Sequence, residues 1–299
     1  MHMKELENLS SVIYAGQYKN ETVPSVFEVE DGVEEIAENA FRGFSSLKKV
    51  ILPPSLRRIS AAAFADCQNL SEVVIPFGLS EIGDEAFSAC PSLTGIRLPD
   101  SVTHIGEGCF EGCASLSSLK LSESLCTVGA GAFSFCFNLR SVEIPDSCYS
   151  VEFNAFSGCF SLESVKLSKN MQSVEESLFE GCRSLYAIDL PAGLVRIGRR
   201  AFRGCLSLKS LILPVSLLEI GLDAFADCKA LRRLALPKGV TELEDLEVFG
   251  GCDSLTEISY GGNAEGWERL LRGKTLTVPT SGGDILTPKI YFLDVKNEI

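Results

Sequence analysis

The chain is poor in the groups on which most enzyme chemistry depends. Among 299 residues the only imidazoles are His2 and His104, so a Ser-His-Asp or Cys-His pair would have to use one of them. His104 sits where equivalent positions hold Arg58, Glu81 or Ser173, and its surroundings keep the common pattern. Basic residues are also short, 27 against 40 acidic, giving a net charge of −13. That balance points away from nucleic acid and anionic lipid, which both need a basic footprint. No apolar run approaches the roughly eighteen residues of a membrane-spanning helix. The opening "MHMKELENLSSVIYAG" lacks an apolar stretch of secretory-signal length. If Met1 is the native start, the chain reads as cytoplasmic; if a leader once preceded it, as secreted or cell-surface. A glycine-rich phosphate loop between strand and helix is missing too. These absences argue against an enzyme and against a cofactor or metal.

What the chain has is a period. Phenylalanine falls at 41, 64, 87, 110, 133, 156, 179, 202 and 225, always 23 residues apart, and again at 249 after one inserted residue. Leucine follows six places after each, from Leu47 to Leu255. The unit reads L-x-x-V/I-x-L-P-x-x-L/V-x-x-I-G-x-x-A-F-x-x-C-x-x, and a period of this length is the mark of a solenoid. In "LSEVVIP" (Leu70–Pro76), Val73 and Ile75 alternate with Glu72 and Val74, as in a half-buried strand. Pro76 ends the ladder because it has no N–H. A turn then leads to a second extended piece such as "LSEIG" (Leu79–Gly83), whose glycine suits a tight bend. In "EAFSAC" (Glu85–Cys90) the apolar spacing predicts one helical or 3₁₀ turn. The fold class expected is a strand-rich α/β repeat solenoid whose coils stack into a parallel β-sheet, with short helical or 3₁₀ turns.

Repeated in register from Val33 to Tyr260, the pattern "L..V.IP..L..IG..AF..C..L" resembles the BspA-type leucine-rich repeat family. "ISYGGNAEGWERLL" (Ile258–Leu271) resembles the segment that closes such arrays, with Gly262-Asn263 in place of Gly-Thr. The resemblance implies a right-handed superhelix used for adhesion or protein recognition, without catalytic residues. Residues 1–32 are expected to form an N-terminal cap, in which "LSSVIY" (Leu9–Tyr14) copies the L-x-x-V spacing. Residues 33–260 form ten repeats. Residues 261–299 form a C-terminal cap, with an Asn263-capped helix presenting Trp267, Leu270 and Leu271, a flexible loop, and a last strand in "KIYFLDV" (Lys289–Val295).

Nine of the twelve cysteines recur in one column, from Cys67 to Cys252, and Phe44 holds that slot in the first coil. A slot that accepts phenylalanine is a core position, and a line of thiols does not converge tetrahedrally on zinc. Cys109 and Cys148 occupy other core slots, and Cys126 is the one thiol expected at the surface. Unpaired thiols in this number suit a reducing cytoplasm or an anaerobic exterior.

Positions one repeat apart become neighbours in space, so columns map the surface. The outward strand column includes Arg97, Lys120, Glu143, Lys166 and Asp189. It reads either as a ladder of mutually neutralising charges or, widened by Arg140, Tyr186 and Arg232, as a recognition face for a protein or glycan ligand. A second candidate surface is aromatic. Phe135, Phe137, Phe153 and Phe160 replace mostly polar or small residues of other coils, and suggest a patch for self-association into a homo-oligomer or local packing alone.

Overall fold

The computed structural model describes residues 12–13, 24–244 and 246–293. They fall into two compact units that divide between Leu139 and Arg140, and each is a parallel β-solenoid. In the first unit the three-residue strands Val26–Glu28, Lys49–Ile51 and Glu72–Val74 form one sheet, and Gly95–Arg97 and Ser118–Lys120 another. Paired residues lie 23 apart, as in Val50 with Val73 and Ile96 with Leu119. A third sheet stacks two-residue strands, among them Glu35–Ile36, Arg58–Ile59 and Glu81–Ile82. In the second unit Ser141–Glu143, Ser164–Lys166 and Ala187–Asp189 form one sheet. Ser210–Ile212, Arg233–Leu236, Glu257–Tyr260 and Lys289–Phe292 form the next. The middle residue of a three-residue strand faces the core, as Val165 does between Ser164 and Lys166, because side chains alternate across a strand.

The phenylalanines form the centre of each core. Rings 41, 64, 87, 110 and 133 stack with centroids 5.1–5.4 Å apart and planes within 9°. Rings 156, 179, 202, 225 and 249 stack at 5.6–5.9 Å and within 20°. Nearly parallel rings are displaced copies of one another, and their spacing exceeds the roughly 4.8 Å between paired strands. The three-residue strands form the face that repeat solenoids of this kind turn inward.

Four expectations need correction, the last at the C-terminal end. The A-F segment is not helical. Residues two before and two after the phenylalanine take positive φ, for example Asn39 (57°) and Gly43 (75°), or Arg200 (54°) and Gly204 (73°). This geometry turns alternate N–H groups toward the next coil, so that Asn39, Phe41 and Gly43 donate to Ala61, Ala63 and Ala65. A 3₁₀ turn among the described residues occurs at Leu246–Phe249, where the extra residue is inserted. The recurring glycine answers to crowding: a Cβ on Gly106 would lie 2.5 Å from the carbonyl carbon of Gly83. Val12–Ile13 pairs with Glu35–Ile36, and so belongs to the two-residue column, not to the L-x-x-V column its spacing imitates.

At the C-terminal end, Asn263 Oδ1 accepts from Gly266 N at 3.0 Å and caps the helix Ala264–Leu270. Trp267, Leu270 and Leu271 are buried. The segment expected as a flexible loop instead contains an antiparallel pair, Val278–Pro279 with Ile285–Leu286. Asp253 holds it, accepting from the Ser281 N–H at 2.8 Å and from its hydroxyl. Lys289–Phe292 adds a last parallel strand, and Val295 lies outside the described residues. No helix among the described residues is long and apolar enough to cross a membrane.

Candidate functional site

On the inner face of the second unit, each three-residue strand presents two outward residues. The first is small in four successive strands, Ser141, Ser164, Ala187 and Ser210, while the second is Glu143, Lys166, Asp189 or Ile212. Small side chains lower the floor beside a taller row. One hollow of about 270 Å³ lies over Ser141, Ser164 and Ala187, walled by Glu143, Lys166 and Asp189. It adjoins a hollow of about 460 Å³ lined by Tyr186, Asp189, Ser210, Ile212 and Pro214.

The larger hollow lies where the sheet is interrupted, since Ala187–Asp189 and Ser210–Ile212 belong to separate sheets. In three other coils of the unit one carbonyl receives two N–H groups of the next strand, while the Lys209 carbonyl receives the Arg232 N–H alone. Arg140 accepts from Glu163 and Ser164, Glu163 from Tyr186 and Ala187, and Arg232 from Thr256 and Glu257. The Tyr186 carbonyl receives neither Lys209 nor Ser210. Backbone groups left over in this way must find water or a ligand.

The side chains around the break are also unengaged. Tyr186 is 56% exposed and Ile212 84%. Lys166 pairs in register with Asp189, yet its ammonium lies 4.0 Å from Glu143. Among the described residues Asp189, Lys209 and Arg232 have no ion pair, whereas Arg140 meets Glu163 at 3.7 Å. In the first unit Arg97 stands beside Lys120, like charge against like, and Lys120 bonds Glu123 on its own coil. The alternating ladder is thus made at the Glu143–Lys166 rung and leaves Asp189 over. The row of small residues and Lys209 were not singled out in the sequence, although Gly95, Ser118, Ser141, Ser164, Ala187 and Ser210 form a readable column there.

The aromatic candidates divide between the units. In the first, Phe135 and Phe137 are exposed and meet edge to face at 6.2 Å. Phe135 has φ of 59° in a slot that elsewhere holds Gly, Asp or Ala, a conformation costly for a bulky residue. In the second, Phe153 is exposed, and the Arg183 guanidinium lies 4.4 Å over the Phe160 ring, a cation–π contact.

None of the twelve cysteines forms a disulfide, and all but Cys126 are buried. Their slot serves more than packing: Cys113, Cys182 and Cys205 Sγ donate to the Phe87, Phe156 and Phe179 carbonyls at 3.2–3.3 Å. Burial pushes the Cys113 and Cys252 thiols up to about 12, so they stay protonated and unreactive at neutral pH. Cys126 is half-exposed and its Sγ lies 3.5 Å from the Ser124 carbonyl. Among the described residues no group of three or more His, Cys, Asp or Glu is placed to hold a metal. His104 Nδ1 lies 2.7 Å from the Thr103 hydroxyl at the surface.

The repeats match the model of the BspA type leucine rich repeat region over residues 34–162 and 150–269. A leucine-rich-repeat protein from Bacteroides ovatus is 24% identical, over 89% of this chain and 83% of that one, with a TM-score of 0.54. A leucine rich cell surface protein from Faecalibacterium prausnitzii is 28% identical, over 82% and 81% of the two chains, at a TM-score of 0.45. A leucine rich repeat protein from T. pallidum is 32% identical over 62% of this chain and 78% of that one, at 0.46. Among curated proteins nothing matches. With its repeats matched over most of its length and stacked at the same 23-residue step, the chain belongs to the BspA-type leucine-rich-repeat family.

Proposed function

We propose that this protein is a non-enzymatic binding protein, of adhesion type, which recognises a protein or glycan through the inner face of its second unit. Its family supports an interaction role, and repeat arrays bind partners on such extended surfaces. The observation that carries the reading is the sheet break beneath the 460 Å³ hollow, where Tyr186, Asp189 and Ile212 stand exposed. Mostly apolar hollows with a few convergent polar groups are the usual form of a ligand site. The chain is to be tested on protein and glycan arrays beside the variant Tyr186→Ala/Asp189→Lys. A ligand bound by the first and lost by the second supports the reading; ligands bound equally by both overturn it.

A second reading, assembly through the aromatic residues, is favoured by Phe135, which holds an exposed ring in a conformation that glycine would adopt without strain. Light scattering on the purified protein tests it. A stable oligomer that Phe135→Ser/Phe137→Ser dissolves supports assembly, and a monomer at all concentrations excludes it.

A further inference from the structure

We infer that the partner of the inner face is an extended peptide segment with a basic side chain, whose main chain bonds the groups left over at the sheet break. This rests on the reading of that face as the binding surface. Three observations select a peptide.

The first is main-chain complementarity. The break leaves the Tyr186 carbonyl, the Lys209 N–H and the Ser210 N–H without each other. A peptide backbone presents acceptors and donors at a rise of about 3.3 Å per residue, which suits such a set. The second is the lining. Around the 460 Å³ hollow the polar side chains are Tyr186, Asp189 and Ser210. A glycan would bring many hydroxyls here and leave most of them unpaired against Ile212 and Pro214, a loss for each one buried.

The third is charge. Asp189 has no ion pair among the described residues, and Lys166 lies toward Glu143. A Lys or Arg side chain can lay its stem along Ile212, which is 84% exposed, and set its head on the Asp189 carboxylate. Lys209 and Arg232, also without ion pairs among the described residues, follow Tyr186 in the neighbouring column. They place an acidic residue of the peptide one or two coils farther on. The segment selected is therefore one with apolar, basic and acidic side chains in an extended run.

The test uses the whole chain, immobilised, with a library of random nine-residue peptides displayed on phage. Enriched peptides are then synthesised and titrated against the protein and its variants, each checked for an unchanged thermal melt. The inference expects enriched peptides to share a Lys or Arg beside an apolar residue. It expects Asp189→Lys to weaken them at least tenfold, and reselection on that variant to replace the basic residue by an acidic one. N-methylation at one central peptide bond should also lose at least tenfold. The inference is overturned if nothing enriches, or if Asp189→Lys and N-methylation leave affinity unchanged. If a glycan array yields the ligand instead, and Tyr186→Ala with Ile212→Asp abolishes its binding, the inner face remains the binding surface and the peptide falls. If every ligand found survives those substitutions, both readings fall.

Discussion

Raising the pH is expected to unfold this protein through its buried thiols. Burial lifts the Cys113 and Cys252 thiols from an ordinary 9.0 to about 12, and Cys109, Cys182, Cys205 and Cys228 are raised for the same reason. Between those pH values the unfolded chain releases these protons and the folded chain keeps them. Stability is therefore intact below pH 9 and falls as pH rises toward 12. At about 1.4 kcal/mol per pH decade for each thiol, Cys113 and Cys252 together remove about 3 kcal/mol per decade. Across the window that is about 8 kcal/mol, comparable with the roughly 5–15 kcal/mol that holds a domain together. The assay is urea unfolding followed by circular dichroism from pH 8 to 10.5, on the protein and on Cys113→Ala/Cys252→Ala. All other groups are common to the two proteins and cancel. The native chain should lose stability more steeply than the variant above pH 9, by 2–3 kcal/mol per decade. Parallel curves would mean that the buried thiols do not set the alkaline limit. A thiol count at pH 8 checks the same point: Cys126 alone should react quickly, and the buried remainder only in denaturant.

Phe179→Ala removes a fully buried ring stacked at 5.9 and 5.6 Å on its two neighbours, and should cost about 3–5 kcal/mol in chemical denaturation. Phe135→Asn exchanges a bulky residue at positive φ for one that tolerates it. It should raise stability by about 0.5 kcal/mol, the relief of strain exceeding the lost ring pair. Gly106→Ala drives a Cβ against the Gly83 carbonyl carbon and the Asp84 nitrogen. It should cost about 1–3 kcal/mol and lower the melting temperature.

The repeat and its strands were legible because position in the 23-residue unit and burial coincide: every phenylalanine of the series is fully buried. The A-F segment was misread because its apolar spacing fits a helical turn, while the decisive signal lay beside it. The slot two after the phenylalanine reads Gly43, Asp66, Gly112, Gly158 and Gly181, residue types that accept positive φ. The register of Val12–Ile13 was open to arithmetic, since Ile13 precedes Ile36 by one full repeat. At the candidate site, Tyr186 and Asp189 were legible as outward positions. The sheet break beneath them was not, because Ala187–Asp189 and Ser210–Ile212 keep the common pattern, and hydrogen-bond continuity depends on how successive coils settle together.

A partner seated on the inner face at this break covers the backbone between Tyr186 and Pro214. Amide hydrogen exchange, measured by mass spectrometry with and without a bound ligand from the arrays or the peptide selection, reads this directly. Slowed exchange is expected within residues 185–214, strongest at the Lys209 and Ser210 amides that lack a partner from Tyr186. Protection confined to the segment around Phe135 and Phe137, with those two amides unchanged, would contradict it.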